Sequence, residues 1–170
     1  MDLWAQRVEP HEQDLEALEG AALPNLAMDA IEETIPLLGS SLEEFFPPSR
    51  ADLIKSALDL RSKDPASWQF DTDSAEEFLR RYDELPEEPI RPAVGPFLMA
   101  LVRLFEAPPH AISSDDVMEV LYSCYESVLT SHLTGRVTLE DEQNSDRCVA
   151  AIAQQLRIIE VHMSPDATEP

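Results

Sequence analysis

The chain has 170 residues, 44% of them hydrophobic, and its 34 acidic and 12 basic residues give a net charge of −22. One domain usually takes about 100–200 residues, and the ordinary hydrophobic content excludes a chain that is disordered throughout. The charge argues against direct binding to nucleic acid or to an anionic membrane, because like charges repel, and it favours a basic protein partner.

The acidic residues are unevenly distributed. Residues 1–89 contain 22 acids and 7 bases, a net charge of −15, whereas residues 90–170 contain 12 acids and 5 bases, a net charge of −7. No basic residue occurs between Arg7 and Arg50, although ten acids lie there. A net charge of this size costs stability through self-repulsion, so its clustering indicates a binding surface. Acidity that serves only solubility or adaptation to salt stays an alternative.

The spacing of apolar residues predicts helices along nearly the whole chain. The apolar positions from Trp4 to Leu18 predict a first helical arm that is broken at Pro10. A second helix is expected from Pro24 to Gly39, with a kink at Pro36, because proline removes a backbone donor and glycine accepts the left-handed conformation at a helix end.

Two further helices are predicted in the middle of the chain. The first runs from Ser49 to about Lys63 and is followed by a loop over residues 64–70. The second is expected to be capped by Asp73 or Ser74, since short polar side chains accept hydrogen bonds from the first backbone amides of a helix. Pro86 is expected to end it.

The most apolar helix is predicted near residues 93–106. In the segment from Ala93 to Phe105, Arg103 is the one charged residue. A helix that is apolar nearly all round belongs in the centre of a bundle.

The rest of the chain predicts two long helices. The first is capped by Ser113 or Ser114 and runs to about Thr134, and the second begins at Thr138 and ends near Met163. No convincing strand is found. We therefore expect an all-α, single-domain bundle of about six to eight helices over residues 1–163, followed by a frayed tail at 164–170.

The cysteines and the N-terminal residues bear on location. Cys124 and Cys148 lie in apolar helical patterns, and two cysteines do not make a disulfide framework, so we expect buried thiols in a reducing compartment. No signal peptide is apparent, and no run approaches the about 18 apolar residues of a membrane span. These features favour a cytoplasmic protein without membrane contact.

Carboxylate spacing offers the main catalytic alternative, because acids one helical turn apart can hold Mg²⁺. The run Asp115-Asp116-x-x-Glu119 resembles the aspartate-rich motif of isoprenoid synthases over five residues. Both aspartates, however, fall in the predicted first turn of a helix, where the helix dipole favours acids without any metal.

A second carboxylate pattern lies near the N-terminus. E-x-x-E occurs at Glu9/Glu12 and again at Glu16/Glu19. All-α nucleotide pyrophosphohydrolases pair this motif with a later E-x-x-D, which the chain does not contain. No nucleophile motif or phosphate-binding loop is found either. We therefore expect no enzymatic activity, no cofactor and no metal ligands, and an all-α Mg²⁺ enzyme is the least favoured reading.

Two acidic clusters are the candidate partner-binding residues. In the segment 70–89, Arg80 and Arg81 are expected to pair with Glu76 and Glu77 one turn earlier. That pairing leaves uncompensated charge at both ends of the helix. The predicted partner-binding residues at the two ends of this helix are Asp71, Asp73, Asp83, Glu84, Glu87 and Glu88. The second cluster of predicted partner-binding residues lies near the N-terminus and consists of Glu9, Glu12, Glu16 and Glu19.

In size, acidity, helicity and lack of a catalytic set, the chain resembles the all-α acidic immunity proteins of bacterial polymorphic-toxin, contact-dependent and type VI systems. The resemblance concerns the character of the whole chain, so no individual residues are carried over. It implies an antitoxin that acts in bacterial competition by binding a basic toxin. A nuclease is one such toxin, because its cleft has to be basic to bind phosphates. The alternatives are an acidic chaperone or adaptor for a secreted effector and a DNA-mimic inhibitor of a nucleic-acid-binding protein.

Overall fold

The computed structural model describes residues 1–62, 68, 70–108 and 111–164. Over these residues the chain is helical and forms no strand, which confirms the all-α prediction. The α-helices are α1 (Asp2–Arg7), α2 (Glu12–Glu16), α3 (Ala22–Thr34), α4 (Leu42–Phe45), α5 (Pro48–Ser62), α6 (Thr72–Asp83), α7 (Val94–Glu106), α8 (Ser114–His132), α9 (Leu139–Asn144) and α10 (Asp146–Met163).

Six of these helices are long, and they match the predicted bundle. Helices α3, α5, α6, α7, α8 and α10 have 12 to 19 residues, whereas the others have six or fewer. The predicted break at Pro10 is a turn of 3-10 helix at Glu9–His11, and the predicted kink at Pro36 is a second one at Ile35–Leu38. Gly39 ends that turn with a φ of 93°.

Helices α7 and α8 share the centre of the bundle. Helix α7 is the predicted apolar helix, with Phe97 and Leu101 fully buried, and it packs against α3, α5, α6 and α8. Helix α8 packs against α7 on one side and against α3 and α10 on the others. The buried apolar side chains form one cluster, so the helices have a common core.

The cap of α6 differs from the prediction. Asp71, and not Asp73 or Ser74, is the N-cap residue, and its carboxylate accepts a hydrogen bond from the Ser74 amide at 2.6 Å. Its extended backbone, with φ −86° and ψ 167°, is the conformation that an N-cap requires. The predicted cap of α8 is confirmed, because Ser113 and Asp116 form a reciprocal capping box.

The C-terminal helix is divided, which the sequence pattern did not predict. Thr138 caps only the short α9, and Ser145 then adopts an extended conformation and caps α10 through the Cys148 amide at 3.3 Å. Of the predicted loop at 64–70, only Trp68, Phe70 and their buried rings are described. The remaining residues of that loop and residues 165–170 lie outside the described part of the chain.

Helix α1 is attached to the bundle by a buried carboxylate. Glu142 of α9 is fully buried, and its two oxygens accept hydrogen bonds from the amides of Asp2 and Leu3, both at 3.0 Å. The Tyr125 hydroxyl donates to the same carboxylate at 2.7 Å, and the Met1 amino group lies 3.3 Å from Oε1. Burial, followed by this hydrogen bond to Glu142, raises the pKa of Tyr125.

A second contact orients the same helix. The indole Nε1 of Trp4 donates to Oε1 of Gln155 at 2.9 Å, and Nε2 of Gln155 donates to the Leu121 carbonyl at 2.8 Å. Both polar side chains are buried, so each of these groups has a hydrogen-bond partner as burial requires. Helix α1 is therefore held in one orientation against α8, α9 and α10.

The Glu142→Ala variant is expected to be strongly destabilised. The substitution leaves two backbone amides and a tyrosine hydroxyl without their buried acceptor, which costs about 3–5 kcal/mol of unfolding free energy. Tyr125→Phe removes a single donor to the same carboxylate and should cost about 1.5–3 kcal/mol. Urea unfolding of both variants checks this order, and equal losses would contradict the assignment of Glu142 as the shared acceptor.

Candidate functional site

An open groove of about 640 Å³ lies between the N-terminal segment, α7 and α8. Acidic side chains from two distant parts of the sequence meet along it. The acids that line the groove are Glu9, Glu12, Asp115, Glu119 and Glu126. The groove thus joins the first E-x-x-E pattern to part of the aspartate-rich run, which the sequence had presented as separate features.

The helical period explains why one face of α8 supplies most of this lining. Asp115, Glu119, Tyr122 and Glu126 are spaced by four, three and four residues, and that spacing places side chains on one face of a helix. Asp116, the neighbour of Asp115, points elsewhere because its carboxylate accepts from the amide and hydroxyl of Ser113, both at 2.8 Å. The aspartate-rich run is therefore divided between a helix cap and the groove.

The lining of the groove also has an apolar part, which we call its floor. The residues of this part are Trp4, Met99, Met118 and Tyr122. The rings of Trp4 and Tyr122 meet edge to face, with centroids 5.2 Å apart. Trp4 is 5% exposed, whereas Tyr122 is 42% exposed and presents its ring to the groove. A ligand in the groove would meet an aromatic surface surrounded by carboxylates.

Two carboxyl groups face each other across the groove. The carboxyl group of Glu12 is hydrogen-bonded to that of Asp115, and this contact raises the pKa of Glu12. Partial burial and the negative charges of Asp115, Glu16 and Glu9 raise it further. Two carboxylates so close together are stabilised by a proton or by a cation placed between them.

Arg103 is the one basic side chain among the described residues that line the groove. Its Nε lies 3.1 Å from Oε2 of Glu119, and its Nη1 lies 3.9 Å from Glu106. With one guanidinium against five carboxylates, four carboxylates remain in excess. The groove therefore carries a concentrated negative potential, and Arg103 neutralises only one end of it.

The remaining N-terminal candidates lie apart from this groove. Glu16, the last residue of α2, and Glu19 after it are both exposed, and neither is among the described residues that line the groove. Of the four acids predicted in this segment, the structure thus brings Glu9 and Glu12 together with α8. Glu16 contributes through its charge, which acts on Glu12.

Asp71 and Asp73 lie at a second cavity, of about 390 Å³, between α5 and α6. Asp71 serves there as the helix cap, and hydrogen bonds from the backbone and the side chain of Ser74 hold its pKa below the usual range. Glu77 and Arg81 line the same cavity, so opposite charges are present side by side.

The predicted charge pairing in α6 is wrong in detail. Arg80 pairs with Glu77 at 2.6 Å and with Glu84 at 2.8 Å, and Arg81 donates instead to the hydroxyl of Ser56 at 2.8 Å. Arg81 is turned toward α5 because its side chain lies on the packed side of α6. Glu84, a predicted binding residue, therefore shares Arg80 with Glu77.

Glu88 has a structural contact as well. It pairs at 2.7 Å with Arg50, which is largely buried, and Arg50 also donates to the Pro86 carbonyl at 3.2 Å. These contacts attach the segment after α6 to α5. Asp83 and Glu87 are exposed and remain the accessible acids of this cluster.

Both cysteines are buried free thiols. Burial raises the pKa of Cys124 to about 12, so its thiol stays protonated. Within the described ranges, no three or more histidine, cysteine or acidic side chains are placed to hold a metal ion. None of the helices described is both long and apolar enough to cross a membrane.

No protein-family model, curated protein or solved structure matches this chain.

The groove residues that sequence reasoning missed include Trp4, Arg103, Tyr122 and Glu126. Trp4 was assigned to the first helical arm and is buried in the core, but its ring also contacts that of Tyr122. A signal for the α8 residues was present in the four-three-four spacing that continues from Asp115 to Glu126. No such signal links Glu12 to Asp115, because their proximity depends on the packing of α2 against α8.

Glu12→Gln is expected to raise the melting temperature at pH 7. The pKa of Glu12 is raised in the fold, so its ionised form is disfavoured there, and wild-type stability should increase as the pH falls through that raised pKa. The advantage of the variant should therefore shrink as the pH falls through this range. Thermal unfolding at several pH values measures the difference.

Glu19→Gln is the matched control, because it removes the same charge from an exposed position nearby. It should change the melting temperature less than Glu12→Gln does. An equal rise in both variants would mean that net charge alone, and not the contact with Asp115, sets the effect.

Proposed function

We propose that the chain is a non-enzymatic binding protein, an immunity protein that neutralises a basic bacterial toxin through its acidic surface. The observation that supports this proposal most directly is the excess of carboxylates at an open groove with an apolar floor. A net charge of −22 extends the same field over the molecule. A toxin that acts on nucleic acid carries a basic cleft, and an acidic surface of this kind is complementary to such a cleft.

Charge complementarity would act chiefly on the rate of association. Oppositely charged surfaces steer protein encounter and raise on-rates by about 10–10³-fold, an effect that salt screens. An antitoxin benefits from fast capture because the toxin acts as long as it is free. The buried free thiols of Cys124 and Cys148 fit a reducing cytoplasm, in which such capture would take place.

An acidic chaperone or adaptor for a secreted effector is the second candidate. The exposed ring of Tyr122 and the thioether of Met99 on the groove floor favour it, since chaperones of this kind bind apolar segments. This candidate predicts a homodimer. Size-exclusion chromatography with light scattering separates it from a monomeric inhibitor.

The proposed function is tested with the product of the adjacent gene, produced together with this chain. Tight binding is expected, with an on-rate that falls by about tenfold or more between low and high salt. Surface plasmon resonance at several salt concentrations gives both quantities, and the toxin's own activity should be lost in the complex. No binding would contradict the immunity function, and an on-rate insensitive to salt would contradict the electrostatic basis.

A further inference from the structure

We propose that the groove between α2, α7 and α8 is the docking site for a cationic amphipathic segment of the partner protein. In this arrangement a lysine or arginine head lies between Glu12 and Asp115, and apolar side chains of the segment pack on Tyr122. The inference rests on the proposed function, because it assigns the surface at which the basic partner binds.

The charge distribution of the groove selects a cation. Four carboxylates remain in excess after Arg103 is counted, and Glu12 and Asp115 lie among them from two different helices. An ammonium or guanidinium group placed between these two side chains would form charge-assisted hydrogen bonds with both carboxylates. It would also remove the repulsion that the free protein carries at this point.

The floor of the groove selects an amphipathic ligand over a purely charged one. Tyr122 is exposed, with the edge-to-face contact of Trp4 holding its ring in place, and Met99 lies beside it. An aromatic face surrounded by carboxylates suits a cation on an aliphatic stem, since the stem packs on the ring and the head is attracted by it. Methionine adapts to side chains of different shapes.

The size of the groove favours a segment that brings several side chains. Its volume of about 640 Å³ is within the range of about 300–1,000 Å³ that ligand pockets occupy. Its walls on α8 extend from Asp115 to Glu126, which is three helical turns. A lone small cation would leave the apolar floor uncovered. An amphipathic helix or strand covers both the floor and the acidic rim.

The test uses three probes of defined chemistry. The first is a synthetic amphipathic helical peptide of arginine and leucine, the second is the same peptide with serine in place of every leucine, and the third is spermidine. Calorimetry at physiological salt measures the Kd of each. We expect the leucine peptide to bind at least about tenfold more tightly than the serine peptide and spermidine.

Two double variants with the same change of charge locate the site. Glu12→Gln/Asp115→Asn removes two charges from the groove, and Glu140→Gln/Glu160→Gln removes two from exposed positions on α9 and α10 that do not line the groove. The groove variant should weaken the leucine peptide by about tenfold or more, whereas the control should leave its Kd unchanged. Glu9→Gln/Glu126→Gln is a second groove variant, used if the first unfolds at a lower temperature. Tyr122→Ser should weaken the leucine peptide more than the serine peptide.

The outcomes separate this inference from the proposed function. No binding of the leucine peptide, equal binding of all three probes, or equal loss in the two double variants would overturn the assignment of the groove. If the adjacent gene's product binds the wild type and the groove variant alike, the groove assignment is wrong and the immunity function stands. If that product does not bind while the leucine peptide binds through the groove, the immunity function is wrong and the groove assignment stands.

Discussion

The contact on which the candidate site depends is the buried carboxylate of Glu142. It holds the first turn of α1 through the amides of Asp2 and Leu3, and it is itself held by the Tyr125 hydroxyl of α8. This contact fixes where Trp4 lies and where the chain enters the turn that leads to Glu12. A short helix has too little internal stability to stand alone, so its position has to come from tertiary contacts of this kind. The groove exists because that position places the N-terminal acids opposite α8.

The distribution of basic residues sharpens the contrast between the groove and the rest of the molecule. Several arginines join helices through ion pairs, as when Arg61 on α5 contacts Asp29 at 2.5 Å and Glu32 at 2.6 Å, both on α3. Arg157 on α10 likewise contacts Glu33 at 2.7 Å. Arg61 is buried, whereas the Arg157 pair is exposed and, like most exposed pairs, contributes little stability. Both arginines offset the charge of the acids that they contact. The carboxylates without a basic partner therefore lie elsewhere, and several of them line the groove.

The helices were predictable wherever a local pattern decided them. The apolar run of α7, the cap at Ser113 and the break at Pro10 all depend on residues within a few positions of one another. The errors arose where local signals competed. Asp73 and Ser74 were the predicted caps of α6, but the extended backbone at Asp71 makes that residue the cap, two positions earlier. The division between α9 and α10 at Ser145 was missed because residues 139–147 contain no proline or glycine that would mark a helix end.

Composition and periodicity by themselves determined that this chain is an all-α bundle with a strongly acidic surface, since net charge is a sum over residues and helices follow from local spacing. They also identified Glu9 and Glu12 as candidates. The tertiary structure alone decided that these acids meet Asp115 and Glu119 over the ring of Tyr122. It also decided that Glu84 and Glu88 form ion pairs with arginines. Such pairings join residues far apart in the sequence, and their proximity depends on how whole helices pack, which no local pattern encodes.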